Sequence, residues 1–215
     1  RENNHRMIFF RYPAIYFLIT TLFSYQDNPS LLATMFNESG WDTVNQHSDS
    51  LTVYKKKLDG IAIPAFKATM ISSVPMEYIV SAILDGENHE EFMGTSHVVE
   101  SEFVKSPLLD TTFVYQMLNL PIISDRHYIT KNYTDTISVG SHYRLNWLIN
   151  SKQNEEFFKD FINRKEEEHK SPIFIMDGVG SWELKRLSYN QSEVTYYVLI
   201  DPGGMIPDYL VTYAN

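Results

Sequence analysis

Between residues 96 and 149 the chain carries four strand-like runs in succession, and this constrains the fold more than any other feature. They are Ser96–Lys105, Thr111–Leu118, His127–Thr134 and Ser141–Ile149, each rich in β-branched and aromatic residues. Turn-forming breaks separate them at Ser106-Pro107, at Pro121 and from Asp135 to Gly140. Strands joined by connections this short pair antiparallel. Two further runs, "IFIMDGVGSWELKRL" (173–187) and "EVTYYVLID" (193–201), close the sheet.

The first third adds a hairpin and helices. "SLTVYKKKL" and "IAIPAFKATMIS" flank Asp59-Gly60, a turn signal that predicts an antiparallel pair. Pro64 predicts an edge position for part of the second strand. "SLLATMFNESGW" reads as a short helix stopped by Gly40. "VPMEYIVSAILDG" is the clearest helix, with Pro75 in its first turn and Tyr78, Ile79, Ala82 and Ile83 on one apolar face. "SKQNEEFFKDFINRKEEEHKS" (151–171) reads as a charged helical insertion at about 150–171, with Phe157, Phe158 and Phe161 at helical spacing. Strands in sequence with helices grouped at the ends give an α+β layer fold. A long sheet gripping a helix leaves a space between them, filled or hollow.

Several functions are excluded or disfavoured. The net charge is −9 and no basic patch is present, which argues against nucleic acid as a partner. Lys55-Lys56-Lys57, the one basic run, reads as a solvated strand face. The chain has no Cys, so disulfides, thiolate metal sites and Cys nucleophiles are absent. His89 with Glu87, Glu90 and Glu91 reads as a solvated acidic loop rather than a metal site, and no cofactor motif occurs. Gly178-Val179-Gly180 reads as a bend or bulge in a strand. Residues 1–24 hold a segment that runs from Met7 and Arg11 through an apolar stretch, Ala14 to Phe23, into polar residues, the layout of a secretory signal peptide. The alternative is an apolar helix packed on the domain. Residues 25–215 read as one domain, expected to be monomeric.

Trp41, "LTVYKKKLDG", "FKATMISSVPMEYIVSAILD", "SDRHYI", "GSWEL" and "VTYYVLIDPGGMIP" follow one another in an order and spacing that resemble START domains, the lipid-transfer domains related to the steroidogenic acute regulatory protein. The resemblance runs from Trp41 to the end and is nearest to the short, single-domain bacterial members, which often carry an export signal. It implies a helix-grip fold, a curved antiparallel sheet around a carboxy-terminal helix with one lipid or sterol between them. It also implies an exported, periplasmic or secreted protein, with the cytoplasm as the alternative. Two departures stand out. The family has Arg-Asp where this chain has Arg126-His127, so any acidic role there is either lost or transferred to Asp125. The final helix, expected after Ile206-Pro207, has only about 13 Å of chain at 1.5 Å per residue and reads as cut short, as in a fragment of a longer protein.

Ligand-binding candidates follow. Arg126 opens a strand beside Tyr128, and a buried guanidinium could pair with a lipid phosphate beside Asp110 or Asp125. The other reading of Arg126 is an ion pair at the sheet rim. Tyr115, Met117, Tyr133, Tyr143, Trp147, Trp182 and Tyr196 are candidate lining residues, suited to an apolar ligand with a few polar anchors. The expected function is non-catalytic binding or transfer of a phospholipid or sterol-like lipid, with transient membrane contact. The alternative is an enzyme on the same grip, a cyclase or hydrolase using Arg126, Asp110 and His127. A filled core with a structural role is the third reading.

Overall fold

The structure, a computed structural model, describes residues 28–48, 51–93, 97–106, 111–119, 124–135, 140–170, 172–175 and 177–201. The expected signal segment, Asp110 and the expected terminal helix lie outside them. The elements run α1 (Asn28–Phe36), β1 (Asp42–Ser48), β2 (Leu51–Lys56), β3 (Ala65–Ser72), α2 (Met76–Leu84), α3 (His89–Met93), β4 (Val98–Val104), β5 (Thr112–Leu118), β6 (Arg126–Thr134), β7 (His142–Asn150), α4 (Ser151–Glu168), β8 (Ile173–Phe174), β9 (Asp177–Ser188) and β10 (Gln191–Ile200).

The strands form one sheet in the order β1-β2-β3-β10-β9-β7-β6-β5-β4, with β8 beside β6. The four runs of the middle third are β4 to β7. The last strand, β10, lies between β3 and β9, which joins the amino-terminal strands to the later ones. The Asp59-Gly60 turn holds β2 and β3 antiparallel, with Gly60 at φ +76°, a conformation only glycine adopts without strain. One expectation needs correction. Pro64 does not mark an edge: β3 is paired on both sides, and Pro64 sits just before it, where no ladder bond is lost. Residues 42–48, polar and without alternation, form β1, held by cross-strand pairing to β2.

β6 changes partner along its length. Lys131 to Thr134 pair with β7, whereas Arg126 and His127 pair in parallel with Ile173 and Phe174 of β8. Between the two, the Ile129 carbonyl accepts the Asn154 side-chain amide of α4 at 2.9 Å. The carbonyls of Asp125, His127 and Ile129, which β7 leaves behind, are thereby satisfied.

The faces of the sheet carry different helices. α1 and α4 cover one face, the outer. Leu31, Leu32 and Met35 of α1 pack on Val179, Tyr197 and Leu199. Phe158 and Ile162 of α4 pack on Phe113, Tyr115, Met117 and Ile129. Lys165 fixes the far end of α4 by ion pairs to Glu100 and Glu102. Lys56, expected in solvent, is buried instead. Its ammonium donates to the carbonyls of Thr34 at 2.8 Å and Asn37 at 2.9 Å, satisfying the orphan acceptors at the end of α1. α2 lies on the inner face, where Met76, Ile79, Val80 and Ile83 meet Leu184 and Val194. Tyr78, expected on that apolar side, is 71% exposed, because the packed stripe runs through Met76, Ile79, Val80 and Ile83.

Candidate functional site

A cavity of about 230 Å³ lies between the inner face and the helices α2 and α3. Strand parity dictates its lining. Thr112, Val114 and Gln116 of β5 and Tyr128, Thr130 and Asn132 of β6 share the inner face. Leu145 and Trp147 of β7, Trp182 of β9 and Tyr196 of β10 continue it on the other side. Ile83 and Leu84 of α2 and His89 of α3 form the roof. One wall is thus hydroxyl- and amide-bearing, and the opposite wall is aromatic.

Gly180 shapes the aromatic wall. A Cβ there would stand 2.1 Å from the Trp147 ring and 2.4 Å from the Tyr197 carbonyl oxygen. The glycine therefore lets the indole lie flat against the β9 backbone. Pairing with β10 runs in regular register through Gly178, Val179 and Gly180. The expected bend or bulge is absent, and close approach of a ring is the reason for glycine. Trp182 packs on Tyr196 with centroids 4.2 Å apart, and Trp147 stacks on Tyr196 at 6.3 Å.

A chain of hydrogen bonds runs along the polar wall to the roof. The Tyr128 hydroxyl donates to Gln116 Oε1 at 2.6 Å. Gln116 Nε2 lies 2.8 Å from His89 Nδ1, and His89 Nε2 lies 3.1 Å from the Ile83 carbonyl. An amide nitrogen can only donate and a carbonyl can only accept. His89 must therefore accept at Nδ1 and carry its proton on Nε2. It is the neutral tautomer, and burial lowers its pKa, which favours the same state. Burial likewise raises the pKa of Tyr128, and of Tyr196, where the neighbouring Tyr128 adds to the rise. The site is an uncharged polar array at neutral pH.

The structure divides the expected site residues. Tyr128, Tyr133, Trp147, Trp182 and Tyr196 border the cavity. Tyr115 and Met117 do not: they occupy the odd positions of β5 and are buried on the outer face against α4. Tyr143 is on the inner face but packs in the cluster under α2, away from the lining. Arg126 is 1% exposed and donates to the Ser124 carbonyl, outside the lining. His127 points to the outer face, beside Tyr115 and Phe174. Asp125 engages Ile173 through its carbonyl. Sequence reasoning missed Gln116 and His89. Gln116 alternates with Tyr115 and Met117, so parity separates it from them, and the β5–β6 register places it opposite Tyr128. His89, read as part of a solvated loop, turns inward on α3, while Glu87, Glu90 and Glu91 are exposed. Among the described residues no cluster of metal-ligating side chains occurs.

No protein-family model and no curated protein matches the sequence. The fold does match solved structures. A STAR-related lipid transfer protein from Xanthomonas axonopodis superposes with a TM-score of 0.64 at 18% identity, over 82% of this chain and 90% of that one. Human STARD10 gives 0.66 at 17% identity, over 88% and 72%. Human StAR-related lipid transfer protein 5 gives 0.61 at 9% identity, over 92% and 87%. With a large antiparallel sheet, helices on both its faces and a cavity on the inner one, the chain has the helix-grip fold of the STAR-related lipid transfer domains.

Proposed function

We propose that the protein binds a hydrophobic ligand in the inner-face cavity without transforming it. The observation that carries this reading is the pairing of an aromatic wall, Trp147, Trp182 and Tyr196, with a few convergent polar groups, Gln116, Tyr128 and His89. Ligand sites are built this way: apolar surface supplies affinity at about 25 cal/mol per Å², and sparse polar groups fix orientation. A volume of about 230 Å³ suits a ring system or a segment of an acyl chain. It falls just below the roughly 300–1,000 Å³ of typical ligand pockets.

The chemistry of the lining supports binding over catalysis. A general base needs a free lone pair at working pH. Both ring nitrogens of His89 are engaged, and the Tyr128 and Tyr196 phenols are held protonated by burial. His127, the residue an enzymatic reading would use, faces the other side of the sheet. The STAR-related lipid transfer proteins of the same fold support a lipid as the ligand class.

Titration with an apolar fluorescent probe tests the proposal. The expected result is saturable uptake with energy transfer from Trp147 and Trp182, lost when Leu84→Trp fills the roof. Uptake that persists in the filled variant would place binding elsewhere, and turnover of a lipid ester abolished by Gln116→Leu would make the site catalytic.

A further inference from the structure

Resting on the cavity-binding reading above, we infer that the site selects a ligand whose polar end is an uncharged hydroxyl, and that it rejects carboxylate and phosphate head groups. Among the described residues, the lining contains no Lys, Arg, Asp or Glu. Its one ionisable base, His89, is fixed as the neutral tautomer by Gln116 on one side and the Ile83 carbonyl on the other. An anion placed here would lose its hydration and gain no cation. Arg126, the residue expected to pair with a head group, is outside the lining and donates to the Ser124 carbonyl.

The polar groups that do face the cavity match a hydroxyl. Tyr128 spends its proton on Gln116, so its oxygen retains lone pairs that accept from a ligand O–H. Tyr196 packs beside it in the same cluster, against the rings of Trp147 and Trp182. Burial keeps its phenol protonated at the cavity lining, so it supplies a donor to a ligand oxygen. One acceptor and one donor side by side are the complement of a hydroxyl, which needs both. A carboxylate or phosphate offers acceptors alone and leaves the Tyr128 lone pairs facing negative charge. The aromatic wall of Trp147, Trp182 and Tyr196 takes the apolar body of the same ligand.

The test compares decanol, decanoate and decyl phosphate at pH 8, with binding read from tryptophan emission of the full chain. One apolar body with three heads isolates the head group. Decanol should bind at least about tenfold more tightly than either anion, the discrimination expected when a buried polar partner is mismatched. In Tyr128→Phe, the preference for decanol over decyl methyl ether should shrink several-fold. That ratio is insensitive to a uniform loss of folded protein. Anions binding as well as decanol, or better, would overturn the head-group inference while leaving cavity binding intact. Failure of all three to bind would remove the cavity-binding reading, and this inference with it.

Discussion

Replacing Gly180 by alanine probes the contact that builds the aromatic wall. The added methyl carbon would sit 2.1 and 2.4 Å from two atoms of the Trp147 ring and 2.4 Å from the Tyr197 carbonyl oxygen. Carbon atoms in contact stand about 3.5–4.0 Å apart, so the ring must retreat by more than an ångström. The backbone carbonyl cannot yield in the same way, because Val198 of its strand is paired to residue 180 itself. Overpacking of this kind costs about 1–3 kcal/mol, and the double clash argues for the upper half of that range. For a chain of this size that corresponds to a fall in Tm of roughly 4–12 °C. The indole has one direction free, into the cavity of about 230 Å³. Thermal unfolding followed by circular dichroism gives the stability change, and apolar-probe titration gives the loss of uptake. An alanine variant with unchanged Tm, unchanged tryptophan emission and unchanged uptake would refute the close-approach account of Gly180.

Three further outcomes follow from the same contacts. Burial, with neighbouring His169 adding to it, lowers the pKa of His127 to about 4. The unfolded chain takes up this proton near pH 6.5, whereas the folded chain refuses it until about pH 4, so stability falls across that window as the pH is lowered. The loss is on the order of 3 kcal/mol at about 1.4 kcal/mol per unit, and urea titrations in His127→Gln should show a flatter pH profile. Glu183→Gln should destabilise by about 3 kcal/mol, because the carboxylate, held below its usual pKa despite burial by Arg144 and Lys185, also bonds His142 at 2.8 Å. A loss under about 0.5 kcal/mol in chemical denaturation would show Arg144 to be compensated elsewhere. Gln116→Leu breaks both links of the polar chain and leaves the His89 and Tyr128 partners unmade, a cost of about 1–3 kcal/mol. Imidazole NMR of the variant should show the His89 Nδ1 resonance shifting as its donor is lost while Nε2 keeps its proton on the Ile83 carbonyl, and an unchanged spectrum would contradict the assignment.

The strand-turn pattern of residues 96–149 was enough to specify the antiparallel sheet, because β-branched runs and turn residues are local signals. The division between faces was less legible. Tyr115 and Met117 are as aromatic and pliable as any cavity residue, and only the pairing of β5 with β6 assigns Gln116 rather than Tyr115 to the side of Tyr128. β5 is buried on both faces, so its sequence shows no polar alternation to fix the register by inspection. β1 was invisible for the opposite reason: it is polar, and its strand character comes from β2. His89 sits among acidic neighbours whose own solvation masks it. Its inward direction depends on how α3 follows the Asp85 terminus of α2, a tertiary property. Lys56 shows the same limit. A lysine in a basic run reads as solvated until a helix end with open carbonyls is brought against it.

Native mass spectrometry of the protein purified from a lipid-containing host tests the central claim most directly. The account predicts a mass above that of the chain which is released as a small, neutral, predominantly apolar molecule on activation, and which Gly180→Ala depletes. A spectrum showing the bare chain alone, from protein that also fails to take up added apolar ligand, would contradict it.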